Sequence, residues 1–245
     1  MIELWWATVA AVRADHRLLL DDVERERLQA LRFRSDRDRF LTGAALARLV
    51  VGHRVGVAPG SLLVDRPCGD CARPHGRPHL RDGRGPVWSV AHSGDHVVVA
   101  VTNAVPGGGP AGLGVDVERI DPDRPPPEAL VWSPVERRTC PDLWSTWVRK
   151  EAALKATGEG LRRPMSSLTA GRPWPGSAHR RVVPDGRPDL TADVVDLDVA
   201  PGYVAAVAVV GAARTVRPVD LDLRHRNGAV LLAVPTTPEE FACER

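Results

Sequence analysis

The chain has 245 residues, 33 basic and 31 acidic side chains, and a formal net charge of +2, enough length for two small cores and too even a charge to mark a nucleic-acid binder. Hydrophobic residues make up 43%, and the longest apolar runs, such as Val204 to Val210, fall far short of a bilayer span, which excludes a membrane partner. The acidic start Met1-Ile2-Glu3-Leu4 offers no basic leader, so the expected compartment is the cytoplasm, where four cysteines stay reduced.

In chain order, the first strong signal is Ser35-Asp36-Arg37-Asp38, which has the form of a capping box. Phe40, Leu41, Ala44, Ala45 and Leu49 follow at helical spacing up to Gly52 and predict a helix of about 15 residues. The arginines from Arg25 to Arg39 alternate with Asp and Glu and have no aromatic stacking partners, so they read as a solvated helix face with one phosphate contact. Cys68, Cys71, His75 and His79 are potential zinc ligands, but the three-residue gap between Cys71 and His75 is shorter than in ordinary fingers. That stretch is read as a loop delivering Arg77. Trp88–His92 and Val97–Val101 flank Ser93-Gly94-Asp95 and predict a β-hairpin.

Residues 103–110 have the composition of a linker. Beyond them the order recurs: a helix from Leu143 to Thr157 stopped by Gly158, then strands at Val194–Val199 and Tyr203–Val210 about a Pro201-Gly202 turn. The Pro-, Gly- and Arg-rich stretch from Arg162 to Asp189 reads as a long loop, and Ala229–Val234 as an edge strand or a loosely docked tail. The fold class is therefore α+β, with two related halves at residues 1–105 and 111–211, each a helix on a small, mostly antiparallel sheet, and a tail at 212–245.

Two places carry chemistry. In Gly112-Leu113-Gly114-Val115-Asp116-Val117-Glu118, strand alternation puts Asp116 and Glu118 on one face while Val115 and Val117 enter the core. Paired carboxylates suit a hard divalent cation. In the later helix, Lys150, Leu154, Trp147, Glu151 and Lys155 fall in order across a face about 140° wide. Lys150 and Lys155 are the only lysines among 33 basic residues. A chain that otherwise uses arginine throughout keeps compact ammonium groups only there. Two carboxylates on a strand with two ammoniums and a carboxylate on a helix suit a metal-bound polyphosphate, leaving Glu151 to take a proton.

Gly114-Val115-Asp116-Val117-Glu118, followed by Trp147-Val148-Arg149-Lys150-Glu151-Ala152-Ala153-Leu154-Lys155, resembles the paired signature of the phosphopantetheinyl transferases of the surfactin-synthetase-activating type. Ser89-Val90-Ala91-His92-Ser93, Gly76-Arg77-Pro78 and Asp36-Arg37-Asp38-Arg39 match further elements of that family, with Arg77 where the family has lysine. The resemblance spans about residues 33 to 168. It implies an active site in the cleft between two pseudo-symmetric halves of a monomer. The implied reaction is transfer of 4′-phosphopantetheine from coenzyme A to a serine of an apo acyl or peptidyl carrier protein, releasing adenosine 3′,5′-bisphosphate. By the same resemblance Asp116, Glu118 and Glu136 would bind magnesium or manganese, and Lys150 and Lys155 the pyrophosphate. Glu151 would act as base or orient the serine, while Arg39, Arg77 and His92 would meet the nucleotide. A coenzyme A binding protein of the same fold without catalysis is the alternative. Family analogy points to carriers of non-ribosomal peptide or polyketide synthesis.

Overall fold

The computed structural model describes residues 1–68, 71, 73–83, 85–103, 112–173 and 179–211, with only the backbone of Leu161 and of 223–227. The expected linker at 103–110, apart from Asn103, and the segment Ala229–Val234 lie outside the described residues. The rest falls into two compact units, one holding residues 3–103 and 223–227, the other 1–2 and 112–211.

The first unit starts with strand β1 (Ile2–Thr8) and helix α1 (Asp22–Ala30). A capping box does occur here, at Asp21 and Glu24, each side chain accepting the other's backbone amide. None forms at Ser35. Helix α2 (Arg34–Val55) begins behind Phe33 without a side-chain cap, because Asp36 is taken by Arg39 at 2.6 Å and Asp38 faces Arg34 at 3.6 Å.

Helix α2 is also longer than predicted, at 22 residues, and ends at Gly56 with φ 68° rather than at Gly52. Gly52 serves close approach instead: a Cβ there would stand 2.6 Å from the Val57 carbonyl oxygen. Strands β2 (Val64–Asp65) and β3 (His79–Leu80) form a short ladder, and β4 (Val87–Ser93) and β5 (His96–Thr102) form the expected antiparallel hairpin. The apolar face of α2, with Leu46, Leu49 and Val50, packs with Trp88, Val99 and Val101 into one core. Arg48 is buried on this helix, where it bonds Asp21, Glu24 and the Pro59 and Leu62 carbonyls.

The second unit contains β6 (Gly112–Arg119), the single-turn α3 (Glu128–Val131), α4 (Leu143–Thr157), β7 (Leu168–Ala170), β8 (His179–Pro184), β9 (Ala192–Asp196) and β10 (Tyr203–Val210). Its sheet is antiparallel throughout, in the order β6-β10-β9-β8-β7. Two strands thus run through the stretch read as loop. Strand β7 has only three residues, and β8 carries Arg180 and Arg181, whose charges meet Asp196 and Asp193 on β9. Asp142 caps α4 by accepting the Ser145 amide at 2.7 Å, and Gly158 ends it at φ 77°. A last strand, β11 (Leu223–Asn227), belongs to the first unit, whose sheet order is β11-β1-β5-β4. The architecture is α+β, each unit setting one long helix on its sheet. No helix among the described residues is long and apolar enough to cross a membrane.

Candidate functional site

The chemistry of the second unit is organised by how closely β6 lies against α4. A Cβ on Gly112 would stand 1.9 Å from the Ala156 carbonyl oxygen, and one on Gly114 would stand 2.0 Å from that of Ala152. Only glycine lets strand and helix backbones touch in this way. The next two residues on the same strand face are Asp116 and Glu118, so the contact carries both carboxylates along the helix flank that bears Glu151 and Lys155.

Lys155 Nζ donates to Asp116 Oδ1 at 2.7 Å and to the Val115 carbonyl at 3.0 Å. Two of the three ammonium donors are therefore engaged, on a side chain that is 31% exposed. Asp116 is buried, and its second oxygen, Oδ2, has no hydrogen-bond partner. Burial pushes the Asp116 carboxyl above its usual range, with the Lys155 ammonium pulling the other way. Glu151, half-buried, is pushed up to about 7, first by burial and then by the charge of Asp116. Lys155 opposes that rise and Glu118 adds to it. Glu118 itself is half-buried near the open end of β6.

A buried carboxylate oxygen without a donor on Asp116, beside a Glu151 whose pKa is raised by the charges of Asp116 and Glu118, marks a site short of positive charge. A hard divalent cation fits the Asp116 and Glu118 pair, since it takes one or two carboxylates together with phosphate and water. The orphaned Asp116 Oδ2 is the observation that carries the fit.

Two expected members stand elsewhere. Lys150 is fully buried on the other flank of α4, and Nζ donates to Glu136 Oε2 at 2.5 Å, to the Val131 carbonyl at 2.6 Å and to the Met165 carbonyl at 3.2 Å. All three of its donors are spent within the fold, which leaves none for the phosphate contact expected of Lys150. Burial holds its pKa below the usual lysine value, against the opposing pull of Glu136. Glu136 is equally committed: Oε2 also accepts the Ser133 amide at 2.7 Å, and Oε1 accepts the Ala170 amide at 2.8 Å. Expected as a third metal ligand, Glu136 here turns its oxygens to the Lys150 ammonium and two backbone amides. The pair ties the 133–138 turn, α4 and β7 together. A local signal for this was present: Ser133-Pro134-Val135-Glu136 is a capping box, with Glu136 N bonding back to Ser133 Oγ at 3.4 Å.

In the first unit, Arg39 Nη1 donates to the carbonyl of Gly94 at 3.2 Å, in the turn of the β4–β5 hairpin, while Asp36 steadies its other arm. His92 is exposed near the end of β4, two residues before Gly94, so Arg39 and His92 share one end of that unit. Arg77 is half-buried in the segment entering β3, and desolvation lowers its pKa from the usual guanidinium value.

Comparison with known proteins adds two findings. Residues 112–208 match the family model described as the 4′-phosphopantetheinyl transferase superfamily. The chain is also similar to the 4′-phosphopantetheinyl transferase psf-1 of Bacillus pumilus, at 29% identity over 194 residues, covering 75% of this chain and 76% of that protein.

Proposed function

Because residues 112–208 match the 4′-phosphopantetheinyl transferase superfamily and the chain is 29% identical to one such transferase over 194 residues, we propose that it moves the 4′-phosphopantetheine arm of coenzyme A onto a serine hydroxyl of an apo acyl or peptidyl carrier protein. The observation that supports this reading best is the buried Asp116 oxygen without a donor, set beside Lys155 and beneath a Glu151 whose pKa lies at about 7.

In this proposal Asp116 and Glu118 hold magnesium, for which manganese can substitute. When bound, the metal would neutralise charge on the pyrophosphate of coenzyme A. The remaining N–H of Lys155 meets the same phosphates and stabilises the charge that grows on the leaving oxygen. Glu151 accepts the serine proton, since a carboxyl titrating near neutrality is a competent base at the pH of the cell. The serine oxygen then bonds to the β-phosphorus while the bond to the bridging pyrophosphate oxygen breaks, and adenosine 3′,5′-bisphosphate departs. Arg39, Arg77 and His92 are assigned to the nucleotide end of coenzyme A, as donors to its 3′-phosphate and ring. The reading places the chain, as a monomer in the cytoplasm, in service of peptide- or polyketide-synthesis carriers.

The test is to incubate the protein with magnesium, coenzyme A and apo carrier domains of each type, and to weigh the carriers. A mass gain of one phosphopantetheine arm is expected, and it should vanish in Glu118→Ala. No gain on any carrier while coenzyme A still binds would leave a binding protein without catalysis. Near-normal transfer by Glu118→Ala would sink the metal assignment.

A further inference from the structure

The proposed transferase chemistry makes no use of a second group of ligand atoms, in the loop between β2 and β3. One atom each of Cys68, Cys71 and His75 lies within 4.8 Å of the other two. Cys71 Sγ is 3.0 Å from His75 Nε2. Among the described residues this is the one group of three or more His, Cys, Asp or Glu side chains close enough to share an ion, and His79 is not part of it.

The backbone gathers these side chains by closing the loop on itself. The β2–β3 ladder pairs Asp65 with His79, and the Gly76 amide donates to the Arg66 carbonyl at 3.0 Å, one step inside that ladder. The closure is tight enough that a Cβ on Gly76 would stand 1.8 Å from the Pro67 carbonyl oxygen. Within it the His75 amide turns back to the Arg73 carbonyl at 2.9 Å. The short Cys-to-His spacing, which counts against a finger, is what such a pinched loop accommodates: the ligands converge through the stem, without a helix to space them.

From this geometry we propose that Cys68 Sγ, Cys71 Sγ and an imidazole nitrogen of His75 bind one zinc ion, with a water molecule as the fourth ligand. Zinc–sulfur bonds of about 2.3 Å and zinc–nitrogen bonds of about 2.0–2.1 Å in a tetrahedron put ligand atoms roughly 3.6–3.8 Å apart. The ligand atoms, all within 4.8 Å of one another, need close by no more than about 1 Å to reach those distances, while Cys71 and His75, now 3.0 Å apart, separate by about half an ångström as the metal replaces the contact between them. Two thiolates and an imidazole select zinc over magnesium or calcium, which prefer oxygen. Both thiols lose a proton to solvent on binding, and no oxidation state changes. Cys71 and His75 are exposed, leaving room for the water. The consequence within the fold is a tie on the loop that ends at Gly76, immediately before Arg77.

The experiment uses the full chain purified under reducing conditions, with zinc measured by elemental mass spectrometry after desalting. One zinc per chain is expected, falling below about a fifth in Cys71→Ser combined with His75→Ala. Cobalt added to the metal-stripped wild-type chain should give a thiolate-to-cobalt charge-transfer band and strong tetrahedral visible absorption, a readout that requires no variant to fold. The proposal is overturned by a wild-type chain that takes up neither zinc nor cobalt at this site. It is equally overturned by zinc undiminished in the double variant, or by a Cys68–Cys71 disulfide found in its place. None of these outcomes depends on transfer to a carrier.

Discussion

The two flanks of helix α4 each pair a lysine with a carboxylate, for opposite ends. On one flank Lys150 and Glu136 are both buried, every ammonium proton has an acceptor, and both carboxylate oxygens are engaged. On the other, Lys155 is partly exposed with two acceptors, and its partner Asp116 keeps one oxygen without a donor. A closed ion pair fixes the helix; an incomplete one leaves charge available to a ligand. The difference lies in saturation, and residue identity alone does not reveal it.

The largest expected effect breaks that comparison by removing each lysine in turn. Lys150→Met strands a buried carboxylate and should cost about 3–5 kcal/mol in urea unfolding, with much of the loss recovered when Glu136→Leu is added. Lys155→Ala should cost only about 1 kcal/mol, because Asp116 can take up a proton instead, yet reduce kcat/KM for carrier transfer by roughly 100- to 1,000-fold. Equal destabilisation by the two substitutions would erase the distinction. A smaller effect tests the seat of the helix: Gly114→Ala forces β6 and α4 apart at the Ala152 carbonyl and should cost about 1–3 kcal/mol in the same unfolding measurement.

The smallest effect sharpens the comparison through pH. Glu151 has a folded pKa of about 7, above its ordinary 4.5. Its contribution to stability is therefore fully present below about pH 4.5 and is lost as pH rises through 7. Asp116 is shifted in the same direction and interacts with Glu151, so the profile belongs to the cluster. In chelator, the wild-type chain should lose thermal stability between pH 5 and 8, whereas Glu151→Gln should flatten that slope and gain about 1–2 kcal/mol at pH 8. By the same logic magnesium should stabilise the wild-type chain at pH 8 more than the variant. An identical pH slope in both would show that Glu151 carries no such strain.

Much of the second unit was legible because its signals are local. Alternation in Val115 to Glu118 set the strand faces, and Gly158 marked the end of α4. The division of labour between Lys150 and Lys155 was not legible. Both fit a face about 140° wide, and which edge of so wide a face lies under the fold depends on where α3 and β7 cross it, a matter of tertiary contact. Glu136 enters the expected site through the family resemblance, although Ser133 three residues earlier already offers it a capping partner. Strand β8 escaped because arginines balanced by aspartates on the neighbouring strand look, in one dimension, like solvated loop, and β7 because three residues are too few to show alternation. In the first unit, Gly52 was taken as a stop signal, whereas its missing side chain makes room for Val57.

The glycines at 112 and 114 also bear on how such a protein can be altered. With carbonyl oxygens of α4 resting where side chains would otherwise stand, helix and strand have no compressible layer between them. Repacking the surrounding apolar residues can change how firmly the two are pressed together, but not how far apart they rest. Redesign of this site should therefore leave that contact alone, since the spacing between the Asp116 strand and the Glu151 helix behaves as a machined stop.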